Sequence, residues 1–226
     1  MKISIITLFP QMFLGPFDHS IIKRAKEDGL VDIKIIDLRN FGIGKHKTVD
    51  DTPYGGGTGM ILKVDVIKNA IDATLDPNIS RNKQQIILTS ASGKKFNQEK
   101  SKEFSKFEHI IIICGHYEGV DERILEFIDE EISIGDFILT GGEIPAMVIT
   151  DSVLRLTQNV LKDGVTDKES FSENSNRVEH PQYTRPNEFE DLKVPDVLLS
   201  GDHKKIEEWK KENSLIKTKK NRPDLI

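Results

Sequence analysis

The chain is poor in the residues that build crosslinked or membrane-bound proteins. It has one cysteine, Cys114, and one tryptophan among 226 residues. A single cysteine excludes an internal disulfide and a structural zinc site, and it fits a reducing compartment. No apolar run reaches the roughly 18 residues that a membrane-spanning helix needs. The apolar start, residues 1–10, is too short for a signal peptide. We therefore expect a cytoplasmic protein that does not associate with membranes.

Several signatures of common enzyme classes are also missing. The glycine-rich segment 54–60 is followed by Ile-Leu-Lys, without the Lys-Ser/Thr pair that a phosphate-binding loop requires. There is no Gly-x-Gly-x-x-Gly after a strand pattern and no Gly-x-Ser-x-Gly elbow. The six histidines show no metal-ligand spacing. These absences argue against nucleoside triphosphatases, dinucleotide-binding enzymes, α/β-hydrolases and zinc enzymes, and we predict no metal-ligating residues.

Charge is distributed unevenly along the chain. The net charge is −5, which by itself argues weakly against nucleic acid. Between residues 204 and 222, however, eight lysines and arginines stand among three acids. A local basic face attracts phosphates whatever the overall sign of the protein. The alternative is an ordinary solvated helix face.

Strand-like and helix-like patterns alternate through the first 160 residues. This alternation predicts an α/β fold with a mainly parallel sheet, covered by helices on both faces. Asp18 or Ser20 is the expected N-cap of the first helix, and a further helix is expected from residue 202 or 203 to about 211. The predicted strands are residues 3–8, 31–38, 85–89, 110–114 and 131–134. The predicted helices are residues 20–28, 64–75, 97–107, 120–128 and 143–161.

Two glycine corners follow predicted strands, at residues 114–119 and 134–143. Glycine lets the backbone adopt positive φ and approach a flat ligand closely. Ligands of parallel sheets sit beyond the carboxyl ends of the strands. We therefore expect one cofactor pocket, lined mostly by main chain, between these two corners.

The composition changes after residue 161. Residues 162–178 are polar, and we interpret them as a flexible linker or active-site loop that orders on binding. Residues 179–226 then form a smaller C-terminal part with the basic segment near its end. The expected domains are therefore 1–161, the linker 162–178, and 179–226.

Several motifs, in order, resemble one family. They are YGGGTGM at 54–60, CGHYEGVDER at 114–123, IGDFILTGGE at 134–143, YTRP at 183–186, VP at 194–195 and LLSGDH at 198–203. Together they resemble the bacterial tRNA (guanine-N1)-methyltransferases, enzymes of the trefoil-knotted SPOUT class, over almost the whole chain. The resemblance implies a knotted domain that binds S-adenosylmethionine and a small, mostly helical C-terminal domain that binds tRNA. It also implies a homodimer with its active site at the subunit interface, a dependence on Mg²⁺, and methylation of N1 of guanosine-37, next to the anticodon.

By matched position, the resemblance assigns cofactor contacts to the two corners and to the loop at 89–93. In that loop Ala91 replaces the usual proline, and Phe137 stands where a tyrosine is common. Packing in the core is an alternative role for Ile134 and Leu139, and capping is one for Glu118. The assigned residues are Thr89, Ser90, Gly115, Tyr117, Glu118, Ile134, Gly135, Asp136, Phe137, Ile138, Leu139, Gly141, Gly142 and Pro145.

Transfer of a methyl group to guanine N1 requires removal of the N1 proton by a base and stabilisation of the charge on O6. The resemblance assigns these roles to Glu169 and Arg155. The family commonly has Asp where this chain has Glu169, so Asp167 is an alternative base. Both acids could instead be solvated charges, and Arg155 could form an ordinary surface ion pair.

Contacts to tRNA are assigned by the same resemblance to Gly59, Arg155, Ser170, Tyr183, Arg185 and His203. Two other functions stay open. The chain could be a non-catalytic RNA-binding protein that keeps the knot as a scaffold. It could also be a related SPOUT enzyme that methylates ribosomal RNA or a ribose hydroxyl.

Overall fold

Five parallel strands form the central sheet of the computed structural model, which describes residues 1–172 and 177–226. The chain divides into two units, residues 1–161 and 162–226. The strand order in the first unit is β2-β1-β6-β5-β7. These strands are β1 (Lys2–Thr7), β2 (Asp32–Asp37), β5 (Gln84–Lys95), β6 (His109–Cys114) and β7 (Glu130–Ser133); a separate hairpin pairs β3 (Asp50–Asp51) with β4 (Ile61–Leu62).

Helices cover both faces of this sheet, as the alternating pattern predicts. In β6, Ile110 and Ile112 pack into one apolar cluster, while Ile111 and Ile113 pack into another. Alternate side chains of a strand point to opposite faces, so a strand buried on both faces is apolar throughout. The helices of this unit are α1 (Ser20–Glu27), α2 (Val64–Thr74), α3 (Gln98–Phe104) and α4 (Glu143–Leu154).

Several predicted elements in this unit differ from those observed. The predicted helix 120–128 is a 3₁₀ helix, Glu122–Phe127, because hydrogen bonds to distant strands hold the chain on both sides of it: the Asp121 N–H donates to the Leu62 carbonyl and the Asp129 N–H to the Ile86 carbonyl. α4 ends at Leu154 rather than 161, where the chain tightens into turns and Asn159 adopts a φ of +65°. The N-cap of α1 is His19, without a side-chain cap, instead of Asp18 or Ser20.

Strand β5 also runs six residues beyond its predicted end at Thr89. Its pairing with β7 shifts register between Thr89 and Lys94. At Gly93 the backbone passes so close to β7 that a β-carbon would lie 2.5 Å from the Ile132 nitrogen. This bulge projects residues 90–92 beyond the sheet.

The second unit is mostly helical, with one small hairpin. Its elements are α5 (Asp196–Leu199), α6 (His203–Asn221) and the hairpin of β8 (Glu188–Phe189) and β9 (Leu192–Lys193). α6 is ten residues longer than predicted. The reason is that hydroxyl groups, rather than an apolar stripe, form its buried contacts after Lys211. No helix within residues 1–172 and 177–226 is both long and apolar enough to cross a bilayer.

A buried polar network closes the amino end of the sheet around His109. Its Nε2 lies 2.9 Å from Ser4 Oγ, and its Nδ1 lies 2.9 Å from Gln84 Oε1. The Gln84 amide nitrogen donates to the carbonyls of Asp76 and Ile79, so Oε1 must accept from an Nδ1–H. His109 is therefore held as the neutral tautomer that accepts from Ser4 through Nε2.

Burial and the nearby Lys2 ammonium lower the pKa of His109 from 6.5 to about 4, against the opposing carboxylates of Asp76 and Asp32. The unfolded chain takes up this proton near pH 6.5, whereas the folded chain resists it until about pH 4. The contribution of His109 to stability is therefore complete above pH 6.5 and is lost as the pH falls to 4. This pKa shift corresponds to a decrease of about 3 kcal/mol in the free energy of unfolding across that pH range.

We predict that His109→Gln flattens the pH dependence of stability between pH 6.5 and 4, whatever its cost at neutral pH. Urea unfolding at several pH values measures this slope for the wild type and the variant. The matched control is His46→Gln, since His46 is exposed and should leave the slope unchanged. Equal slopes for the wild type and His109→Gln would contradict the assignment.

Candidate cofactor-binding site

A cleft of about 440 Å³ lies beyond the carboxyl ends of β5, β6 and β7, which are neighbours in the sheet. The bulged end of β5 provides one wall, residues 115–120 after β6 provide a second, and residues 134–142 after β7 provide a third. Pro145, in the first turn of α4, also lines the cleft. The structure therefore brings together the two glycine corners and the loop at 89–93.

Main chain meets main chain where the two corners cross. The Gly142 N–H donates to the Gly115 carbonyl at 2.8 Å, and His116 pairs with Gly141 as an isolated bridge. A β-carbon on Gly142 would lie 2.8 Å from Cys114 Cα and 2.8 Å from the Gly115 nitrogen. Backbone atoms cannot move aside as a flexible side chain can, so glycine is required at this crossing.

The cofactor residues assigned from the sequence lie at this cleft with one exception. Asp136 belongs to the same loop but is not among the lining residues, and its exposed carboxylate pairs with Lys95 at 2.6 Å. The assigned residues that line the cleft are Thr89, Ser90, Gly115, Tyr117, Glu118, Ile134, Gly135, Phe137, Ile138, Leu139, Gly141, Gly142 and Pro145.

Other lining residues received no role from the sequence. Ser92, His116, Gly119 and Thr140 also face the cleft. The imidazole of His116 lies 4.8 Å from the Phe9 ring and 4.8 Å from the Tyr117 ring, and its Nδ1 is buried without a hydrogen-bond partner. All four residues lie inside or beside the glycine motifs, and this was the one sequence signal that could have identified them. Their contact with the cleft could be found only from the structure.

A buried carboxylate lies next to the glycine crossing. Glu143 is 1% exposed, and the Thr7 hydroxyl donates to its Oε1 at 2.7 Å. This bond ties the first turn of α4 to the end of β1. Beside it, burial raises the pKa of the Cys114 thiol well above its usual value, and the Glu143 charge adds to this effect. Cys114 is therefore a neutral packing residue and not a nucleophile.

The glycine-rich loop 54–60 is attached to the outer wall of the cleft. The Glu118 N–H donates to the Met60 carbonyl at 3.1 Å, and the Leu62 N–H donates to the Gly119 carbonyl at 3.0 Å. Gly59 has a φ of +91°, and a β-carbon there would lie 2.8 Å from Glu118 Oε1. Gly59, assigned to tRNA binding, therefore lies directly against a wall of the cofactor cleft.

Tyr117 occupies the centre of that wall in a left-handed conformation, with a φ of +59°. Partial burial, with the nearby Asp50 carboxylate second, raises the pKa of its hydroxyl, while Arg39 opposes the shift. The hydroxyl is consequently a neutral donor at physiological pH. Asp50 lies on β3, so the hairpin that carries loop 54–60 borders Tyr117 as well as Glu118.

The remaining assigned residues lie elsewhere in the two units. Arg155 is the C-cap residue of α4 in the first unit. In the second unit, Glu169 follows the 3₁₀ helix Thr166–Lys168, which contains Asp167, and the Ser170 hydroxyl accepts a hydrogen bond from the Glu179 N–H at 2.9 Å. The ring of Tyr183 lies 6.2 Å from that of Trp209, Arg185 is exposed, and His203 begins α6.

A parallel α/β sheet with a glycine-lined cleft beyond its strand ends is typical of α/β proteins that bind a small ligand. The family model described as "tRNA (Guanine-1)-methyltransferase TrmD" matches residues 1–226. Three similar proteins, each named tRNA (guanine-N(1)-)-methyltransferase, come from Carboxydothermus hydrogenoformans, Dictyoglomus turgidum and Bacillus pumilus. They are 53%, 51% and 51% identical to this chain, cover all of it, and are themselves covered over 87%, 90% and 92% of their lengths.

The chain belongs to the tRNA (guanine-N1)-methyltransferase family. The family resemblance and the enzyme class predicted from the motifs are thereby confirmed. So is the fold class, because the family has the trefoil-knotted SPOUT fold and the structure has the expected mainly parallel sheet and helical C-terminal part. Methyltransferases of this family use S-adenosylmethionine and act on tRNA.

We predict that Gly142→Ala both destabilises the protein and weakens binding of S-adenosylmethionine. The new β-carbon overlaps the backbone at Cys114 and Gly115, so the two corners must separate. Overpacking of this kind costs about 1–3 kcal/mol. Thermal unfolding and calorimetric titration with S-adenosylmethionine measure the two effects.

Thr140→Ala serves as the matched control because it removes a lining side chain and keeps the main chain. We expect its affinity for the cofactor to stay within about threefold of the wild type. Unchanged cofactor affinity in Gly142→Ala, or loss of binding in Thr140→Ala, would contradict the interpretation that main-chain groups form most of the contacts to the cofactor.

Proposed function

We propose that the protein transfers a methyl group from S-adenosylmethionine to N1 of guanosine-37 in tRNA. Membership of the tRNA (guanine-N1)-methyltransferase family supports this reaction, and the cleft between the two glycine corners is the main structural observation in its support. Position 37 comes from the family resemblance. The first unit acts as the cofactor-binding domain, and residues 179–226 act as the tRNA-binding domain.

The cleft suits a sulfonium nucleoside in shape and chemistry. Its volume of about 440 Å³ lies in the range of small-molecule sites, and apolar side chains and peptide groups form its walls. S-adenosylmethionine, when bound, supplies a methyl group already activated by its positive sulfur, so the protein mainly has to orient it. Ile134, Leu139 and Pro145 provide flat apolar surface, and the glycine corners provide peptide donors and acceptors.

The target guanine needs a base and a cation from the protein. Guanine N1 carries a proton at neutral pH, so a carboxylate must remove it as the new N–C bond forms. We assign this role to Glu169 and the stabilisation of the developing charge on O6 to Arg155. Loop 54–60, which lies against Glu118, is proposed to hold the target guanine near the cofactor's methyl group.

The second unit is proposed to hold the tRNA. Helix α6 carries seven lysines, and Lys204, Lys205, Lys211 and Lys219 are among its exposed residues. A basic helix of this kind contacts phosphates without reading sequence. Tyr183, Arg185, His203 and Ser170 lie in the same unit and are proposed to contact tRNA. The linker 162–178 is proposed to complete its ordering on binding, since Ser170, Phe171, Arg177 and Val178 already form hydrogen bonds within the second unit; residues 173–176 of it lie outside the described residues.

Two copies of the chain are proposed to form the working enzyme. Helix α4 is apolar on nearly every side, yet Ile144 and Val148, one turn apart, are 45% and 41% exposed. Leu14, 77% exposed, adjoins Phe13, which packs into the same apolar cluster as α4. An apolar helix face of this kind favours a second subunit. Sedimentation equilibrium should give twice the mass of one chain, and a monomer mass would contradict the dimer.

Dependence on Mg²⁺ and a cytoplasmic location enter the proposal through the family resemblance and the composition. Within residues 1–172 and 177–226, no group of three or more His, Cys, Asp or Glu side chains could hold a metal ion. We therefore derive no catalytic step through a metal.

We predict that Glu169→Gln lowers the rate of methyl transfer by about 10²–10⁴-fold, the usual contribution of a general base. Asp167→Asn should leave the rate near that of the wild type, and it is the matched control two residues away. Single-turnover transfer of radiolabelled methyl to unmodified tRNA measures both rates. Loss in Asp167→Asn with a near-normal Glu169→Gln would transfer the role to Asp167.

The same assay tests the target nucleoside. A tRNA with adenosine at position 37 should accept no label, whereas the guanosine-37 tRNA should accept one methyl group. Label in neither tRNA would support a non-catalytic RNA-binding protein. Label in both, or in ribosomal RNA or a ribose hydroxyl instead, would support one of the related SPOUT activities.

A further inference from the structure

Helix α6 binds the backbone of Val178, a residue that follows the proposed base Glu169 in the second unit. Ser214 and Thr218, one helical turn apart, form what we call the hydroxyl pair. The Ser214 hydroxyl donates to the Val178 carbonyl at 2.7 Å, and the Thr218 hydroxyl accepts from the Val178 N–H at 3.0 Å. Both peptide groups of one residue are thus bound by two side chains of one helix face.

This arrangement fixes the position of Val178 along the helix. Apolar packing tolerates sliding by fractions of a residue, whereas paired hydrogen bonds are satisfied in one register. Thr218 is completely buried, and its hydroxyl also donates to the Ser214 carbonyl at 2.7 Å. Removing its oxygen would leave the partly buried Val178 N–H without this acceptor, which destabilises the contact.

The fixed register reaches the residue next to the proposed base. Immediately after Val178, the Glu179 N–H donates to the Ser170 hydroxyl at 2.9 Å. The Phe171 N–H donates to the Arg177 carbonyl at 3.1 Å, so the residue after Ser170 is also bonded to the residue before Val178. The path from α6 to Glu169 therefore runs through Val178, Glu179 and Ser170.

Two further contacts hold the same segment at either end of α6. The Arg222 guanidinium, directly after the helix, lies 5.7 Å from the centre of the Phe171 ring. Near the start of the helix, the Trp209 ring lies 6.2 Å from the rings of His180 and Tyr183. With these ends held, the hydroxyl pair supplies the directional bonds in the middle.

We propose that Thr218 and Ser214 are positioning residues for methyl transfer. They hold Glu169 at a fixed place relative to the helix proposed to bind tRNA, so that docking of the tRNA and placement of the base depend on one element. This inference rests on the proposed function, because it assumes that Glu169 is the base. It assigns to the hydroxyl pair no contact with substrate or cofactor.

The test is a mutant cycle measured by single-turnover methyl transfer at saturating tRNA and S-adenosylmethionine. Thr218→Val keeps the shape of the side chain and removes its hydroxyl. We expect its single-turnover rate to fall by about 10–100-fold, as for a misplaced catalytic group, while KM for tRNA, measured separately at steady state, changes by less than about twofold. Thr218→Ser, which keeps a hydroxyl, should restore most of the rate.

The decisive comparison uses the Glu169→Gln background. If Thr218 acts through the base, adding Thr218→Val to Glu169→Gln should cause no further loss. Equal losses in both backgrounds would show a general structural role and overturn the inference. The matched control is Thr74→Val, a buried threonine in α2 whose hydroxyl donates to the Ala70 carbonyl at 2.6 Å; a similar loss of rate there would also overturn it.

Folding is checked by thermal unfolding of each variant. If Thr218→Val does not fold, the same cycle with Ser214→Ala decides, with Ser200→Ala as its control, since the Ser200 hydroxyl donates to the Val197 carbonyl elsewhere in the unit. An active wild type whose hydroxyl variants keep full rate would overturn the positioning role alone. A wild type that does not methylate guanosine-37 would overturn the proposed function, and the positioning role with it.

Discussion

The close crossing of two backbone segments is the constraint on which the site depends. The corner after β6 and the corner after β7 meet through the hydrogen bond from the Gly142 N–H to the Gly115 carbonyl, at 2.8 Å. The chain passes so near Cys114 that residue 142 has no room for a side chain. Without this crossing the cleft would lack two of its walls, and helix α4 would begin in a different place.

The same crossing connects the cofactor cleft to the rest of the first unit. Behind it, Glu143 starts α4 and is anchored to β1 by the Thr7 hydroxyl. On the outer wall of the cleft, the Glu118 side chain packs against Gly59, so the loop proposed to receive guanine contacts that wall. Short main-chain hydrogen bonds from Glu118 to Met60 and from Leu62 to Gly119 thus join the two loops within the first unit.

Much of this arrangement could be predicted from the sequence, because the signals were local. Isoleucines at 110–113 predict a strand buried on both faces, and the glycine motifs mark the strand ends at which the cleft lies. The predictions were wrong where structure depends on distant contacts. The pattern at 120–128 forms only a 3₁₀ helix because its flanks bond to Leu62 and Ile86, and β5 continues past Thr89 because β7 provides partners after a bulge.

The length of helix α6 was underestimated because its buried contacts after Lys211 are made by hydroxyl groups. Hydrophobic periodicity is the main helix signal in a sequence, and after Lys211 this helix has little of it. Its buried side instead presents Ser214 and Thr218 to the backbone of Val178. Hydroxyl groups give no periodic signal and their partner lies 36 and 40 residues away, so the contact could be found only from the structure.

The most direct test of the account is amide hydrogen exchange of the full chain with and without S-adenosylmethionine. If the backbone of the two corners binds the cofactor, exchange should slow at residues 115–119 and 134–142 and change little in α6. Unchanged exchange at both corners, with protection appearing elsewhere in the chain, would contradict a cofactor site formed by the crossing at Gly142.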